Sequence, residues 1–139
     1  MTGQLEILLV EDNPCDAELT ISALKKGNLA NHLVHVMDGQ SALDILLVEG
    51  AQPKVVLLDL KLPKVDGIQV LRQLRANPGT RLLPIVVLTS SREESDILET
   101  YNLGVNSFIV KPVDFESFSK AVTQIGLYWL LLNEKCRSS

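Results

Sequence analysis

The run Val55-Val56-Leu57-Leu58-Asp59 constrains the fold of this chain more than any other stretch. Four consecutive apolar residues, two of them β-branched, predict a strand buried on both faces. The carboxylate that closes the run belongs at the strand's end, where water or a cation can reach it. Lys61, Pro63 and the turn-prone Asp66-Gly67 follow. A single aspartate there need do no more than terminate a strand. Its meaning depends on what other strands deliver to the same rim.

Four more runs read as strands, so that strands are expected near residues 5–10, 32–37, 54–59, 84–89 and 106–110. Helical patterns lie between them. Asn13 and Pro14 start the first helix, Ala17, Ile21, Ala23 and Leu24 form its stripe, and Gly27 ends it. Ala42 to Leu47 gives a short second helix that stops at Gly50, and Ile68, Val70, Leu71 and Leu74 give a third, broken at Asn77-Pro78-Gly79. Glu93, Glu94 and Asp96 open a fourth helix at its favourable positive end, with its close expected around Leu103-Gly104. Asp114 caps a fifth, expected to extend near 114–134 through Phe115, Phe118, Val122, Ile125 and Leu127.

Strands alternating with helices imply an α/β fold, a five-stranded parallel sheet covered on both faces. Right-handed crossovers make a doubly wound, flavodoxin-like (βα)5 arrangement with strand order 2-1-3-4-5 the expected topology, in one domain over residues 1–139. The site of such a sheet lies beyond the carboxyl ends of the strands, where strand order reverses.

Composition narrows the function classes. Of 139 residues 46% are hydrophobic and only 4% aromatic, which predicts an aliphatic core. A net charge of −4 without a basic stripe argues against nucleic acid as a partner. Cys15 and Cys136 form no metal-ligand spacing and read as reduced thiols of a cytoplasmic protein. The longest wholly apolar run, Leu127 to Leu132, is too short to span a bilayer, so no membrane is expected.

The strand endings form one constellation. Strand one ends in Glu11-Asp12, strand three in Asp59, strand four in Thr89 and strand five in Lys111. Three carboxylates meeting at the switch point repel one another unless a cation or a proton neutralises them. Oxygen ligands without His or Cys point to a hard ion, Mg²⁺ rather than zinc. The Lys111 ammonium and the Thr89 hydroxyl suit an anion with several oxygens. Together these groups describe a phosphoryl-transfer site with Asp as a possible covalent acceptor.

Leu8-Leu9-Val10-Glu11-Asp12-Asn13, Leu57-Leu58-Asp59-Leu60-Lys61-Leu62-Pro63 with Asp66-Gly67, Leu88-Thr89-Ser90, and Phe108-Ile109-Val110-Lys111-Pro112 are the motifs by which this chain resembles a response-regulator receiver domain over nearly its whole length. The resemblance implies that Asp59 accepts a phosphoryl group from a phosphohistidine on a sensor histidine kinase. It implies Mg²⁺ bound by Asp12, Asp59 and the backbone carbonyl of Lys61, with Glu11 acting through water. Thr89 and Lys111 are expected to hold the phosphoryl oxygens, and Lys111-Pro112 to be a cis peptide. Thr89 and Phe108 would form the switch, and lacking a tyrosine hydroxyl, Phe108 is expected to turn inward or be covered by a partner. With neither a carboxylate nor an amide at Lys61 or Ser91 to orient water, slow self-dephosphorylation is expected.

No output domain is expected after strand five, so the signal is expected to leave through the fourth helix, fifth strand and fifth helix. Tyr128-Trp129-Leu130-Leu131-Leu132 is apolar nearly all round, more than one buried stripe requires, and predicts an interface with Phe108, Tyr128, Trp129 and Leu132. That run with Asn133-Glu134, Asn31-His32-Leu33 and Asp38-Gly39 is similar to single-domain regulators paired with cyanobacterial and bacterial phytochromes. This narrower resemblance implies a phytochrome kinase as phosphodonor and a homodimer through the last helix. Two alternatives differ in class. One is a Mg-dependent phosphatase or phosphotransferase, disfavoured because Lys61 stands where a second carboxylate could act as general acid. The other is a binding module that is never phosphorylated. A signalling protein rather than an enzyme is the expected reading.

Overall fold

The computed structural model describes residues 5–27, 32–90, 100–124 and 126–127. Its elements are β1 (Ile7–Val10), α1 (Pro14–Lys26), β2 (Leu33–Val36), α2 (Gly39–Leu43) continued by a π-helical turn over Asp44–Val48, β3 (Val55–Asp59), α3 (Gly67–Ala76), β4 (Ile85–Thr89), α4 (described over residues 100–102), β5 (Ser107–Val110) and α5 (Phe115–Gln124). The strands form one parallel sheet in the order β2-β1-β3-β4-β5.

Every residue of β1, β3 and β4 is buried, as strands covered on both faces must be. The alternation of side chains splits them between two core layers. Ile7, Leu9, Val55, Leu57, Val86 and Leu88 pack with Ala17 and Leu24 of α1 and Phe118 and Val122 of α5. Leu8, Val10, Val56, Leu58, Ile85 and Val87 pack on the other face with Leu43, Leu46, Val70, Leu71 and Leu74. Each of these Val, Leu, Ile and Phe side chains stabilises the fold by about 1.5–3 kcal/mol relative to exposure. In register, Val10 faces Leu58, Asp59 faces Leu88 and Thr89 faces Val110, so the strands finish level at one rim.

The edge strands are short and only partly buried, and β2 covers less than the expected 32–37. The second helix also differs from its expected form. It is α-helical only to Leu43, after which the wider π-turn carries Ile45, Leu46 and Leu47, three consecutive apolar residues, into contact with the core.

The last helix is the main correction. A single helix was expected near 114–134; α5 is described over Phe115–Gln124 and the chain turns at Gly126, while residues 128–134 lie outside the described residues. Gly126 has φ +83, its N–H donates to Thr123 O at 3.1 Å and the Leu127 N–H donates to Val122 O at 2.7 Å. These paired bonds form a Schellman closure, with Leu127 packed back on the core layer that holds Val122. Only glycine adopts that φ without steric cost, which is why the chain turns there. The same closure ends α4, where Gly104 (φ +73) donates to Tyr101 O and Val105 to Thr100 O. Arg75 of α3 then donates to the carbonyls of Leu103 and Gly104 at 3.0 and 2.9 Å, tying α3 to the end of α4. Among the described residues no helix is long and apolar enough to cross a membrane.

Candidate functional site

The rim at the carboxyl ends of β1, β3, β4 and β5 gathers the polar residues. Glu11 follows β1 and is 0% exposed. Its backbone is held from both sides, the N–H donating to Val36 O at 3.1 Å and the carbonyl accepting from His35 Nε2 at 2.8 Å. Asn13 N–H donates to Glu11 Oε2, and the Asn13 side chain caps α1 by accepting from Asp16 N–H at 3.0 Å. Asp59, the last residue of β3, is 5% exposed and accepts from Lys61 N–H on Oδ1 at 3.1 Å. Gly67 lets α3 start against this strand end: a Cβ on it would lie 2.3 Å from the Asp59 carbonyl oxygen.

Lys111 joins the strand ends. Its N–H donates to Thr89 O at 2.9 Å, its bond to Pro112 is cis, and its ammonium points into the acidic cluster. The Nζ donates to Glu11 Oε1 at 2.8 Å, Asp59 Oδ2 at 2.8 Å and Asp16 Oδ2 at 3.1 Å. All three ammonium hydrogens therefore have a carboxylate acceptor. Burial acts against the charge on Lys111, but the bonds to Asp59 and Glu11 outweigh it and raise the pKa above the ordinary lysine value. Burial dominates at Glu11 and, helped by Asp59, lifts its pKa to about 7 against the pull of Lys111.

Glu11, Asp12 and Asp59 each offer a carboxylate oxygen, and those atoms lie within 4.8 Å of one another. Three carboxylates this close, all oxygen donors and open at the Asp12 side, fit a hard divalent cation. Thr89 is buried at the end of β4. The Lys61 side chain is exposed, while its N–H serves Asp59. Phe108 is half-buried against the core layer of α2 and α3 and is met edge-on by Tyr101, ring centroids 4.9 Å apart at 65°. It is thus partly covered within its own chain. Tyr128, Trp129, Leu132 and Ser91 lie outside the described residues.

The structure brings Glu11, Asp12, Asp59 and Lys111 together and sets Thr89 at the same rim. It adds two residues that sequence reasoning missed. Asp16 was hidden as a helix-entry charge, although its place in the first turn of α1, just after Glu11-Asp12, was a signal. His35 left no signal, because a half-exposed histidine in an edge strand is unremarkable.

The chain belongs to the response regulator receiver domain family, which matches residues 7–123. It is therefore a receiver domain of a response regulator. The bacteriophytochrome response regulator AtBRR is 52% identical in its solved structure, with a TM-score of 0.82 over 92% of this chain and 96% of that one. The phosphorylated cyanobacterial phytochrome response regulator RcpA is 35% identical, with a TM-score of 0.75 over 92% of this chain and 95% of that one. A probable methanogenesis regulatory protein, FilR2 of Methanothrix harundinacea, is 43% identical over 128 residues, 89% of this chain and 83% of its own length.

Proposed function

We propose that this chain is the phosphoacceptor of a two-component phosphorelay, with Asp59 taking a phosphoryl group from a phosphohistidine on a sensor histidine kinase. The placement of Asp59 carries this reading: a carboxylate 5% exposed, at the open end of a doubly buried strand, with Lys111 Nζ 2.8 Å from one oxygen. In the transfer an Asp59 oxygen attacks phosphorus, the O–P bond forms as the P–N bond breaks, and the bonding pair returns to the imidazole nitrogen. Lys111 and the Thr89 hydroxyl hold the phosphoryl oxygens, and Phe108 follows Thr89 as the switch. Asp12, Asp59 and the Lys61 carbonyl, with Glu11 through water, are the residues that would hold Mg²⁺. When bound, that ion supplies charge neutralisation to the transferring group.

The role is signalling rather than turnover, since Lys61 stands two residues after Asp59 in place of a second carboxylate able to act as general acid. The relay is cytoplasmic in this reading, with neither nucleic acid nor membrane as a partner. The kinase is a phytochrome, a reading supported by the likeness to the regulators AtBRR and RcpA. The chain pairs with a second copy through the segment after α5, where Tyr128, Trp129 and Leu132 supply apolar side chains and Phe108 of β5 joins the contact; sedimentation of Trp129→Ala as a monomer where wild type is a dimer supports that contact.

The test of the partner is phosphotransfer from an autophosphorylated bacteriophytochrome kinase. Label is expected to pass to wild type within minutes and not to Asp59→Asn. A wild-type protein that takes label from acetyl phosphate but none from the phytochrome removes the phytochrome from this reading and leaves Asp59 in it.

A further inference from the structure

We propose that Asp16 is a positioning residue for Lys111, holding its ammonium in place when Glu11 and Asp59 are engaged elsewhere. Three carboxylates accept from Lys111 Nζ, and two of them, Glu11 and Asp59, belong to the cluster that can hold a cation. Asp16, 3.1 Å from Nζ, is the acceptor outside that cluster. A divalent cation held there would draw the oxygens of Glu11 and Asp59 toward itself, and phosphorylation would turn the Asp59 carboxylate into an acyl phosphate, a mixed anhydride. Asp16 keeps both its charge and its place through both events.

Its place is fixed by α1 rather than by the site. Asp16 N–H is tied to the Asn13 cap, so its side chain leaves the first helical turn from an anchored backbone. Lysine is a point charge on a flexible four-carbon stem and holds a position only if its partners do. With a fixed acceptor on α1, the ammonium that leaves β5 stays over the rim. The Asp16 side chain is 36% exposed, so its contact is a geometric restraint more than a source of stability.

This inference rests on the phosphoacceptor reading and deepens it. Its test compares Asp16→Ala with Asp16→Asn, whose amide oxygen still accepts from an ammonium. In Mg²⁺, Asp16→Ala is expected to lower the saturating rate of Asp59 labelling by acetyl phosphate about tenfold, as loss of a residue supporting a reactive group does. The half-saturating donor concentration should stay nearly constant. Beryllofluoride affinity should weaken in the same variant, and Asp16→Asn should keep both properties within about twofold of wild type. Thermal midpoints without metal should be alike for the two variants. Labelling of Asp16→Ala at the wild-type rate, or equal losses in Ala and Asn, overturns the role of Asp16. Wild type that takes no label on Asp59 overturns the phosphoacceptor reading instead.

Discussion

Gly67 and the backbone of Asp59 are packed so closely that no side chain fits at position 67: a Cβ on Gly67 would lie 2.3 Å from the Asp59 carbonyl oxygen and 2.5 Å from Leu60 Cα. Both neighbours are backbone, so no side-chain rotation relieves the clash. The Gly67 N–H also donates to Leu60 O at 2.8 Å, which fixes the distance. Gly67→Ala is therefore expected to push the strand end away from α3, costing about 1–3 kcal/mol in chemical denaturation. It should also slow labelling of Asp59 by acetyl phosphate under conditions where the variant is fully folded. Unchanged stability and rate would show that α3 yields freely.

Glu11 sets a pH dependence with a definite sign. Its folded pKa is about 7 against an ordinary 4.5, because burial disfavours the charged form. Between those values the metal-free fold binds a proton that the unfolded chain has released. Its contribution to stability is thus present below pH 4.5 and is lost as pH rises through about 7. A cation must displace that proton, so Mg²⁺ affinity should rise up to about pH 7 and then level off. Calorimetry in buffers of different ionisation enthalpy should record proton release on Mg²⁺ binding at pH 6 and little at pH 8.5. Equal release at both would place the proton elsewhere.

Gly126 gives the last helix a test by sign. Among the described residues nothing lies within 4 Å of a Cβ there, so an alanine meets none of them and feels the backbone at φ +83. Gly126→Ala should destabilise by about 1 kcal/mol, because an L-residue is strained in the left-handed region. Were the helix continuous through this position, alanine would instead stabilise by a similar amount.

These three positions also mark what could be read from the sequence. The sheet order and the rim were legible because β1, β3 and β4 are apolar runs, closed by Asp59 in β3 and Thr89 in β4 and followed by Glu11 after β1, and the doubly wound topology leaves those ends side by side. The end of α5 was not legible from hydrophobicity, since Val122, Ile125 and Leu127 continue the apolar character past the glycine that turns the chain. Asp16 escaped notice because it fits a helix start as well as it fits a lysine from β5. Its second role depends on a contact across 95 residues. His35 is similar: its bond to the Glu11 carbonyl follows from the β1–β2 register and from no local pattern.

The most direct test is to treat the protein with acetyl phosphate and Mg²⁺, trap the acyl phosphate by borohydride reduction, and locate it by tandem mass spectrometry. Modification confined to Asp59, and absent from Asp59→Asn, is the expected result. Label on another residue, or equal labelling of wild type and Asp59→Asn, would contradict the assignment of Asp59 as the phosphoacceptor.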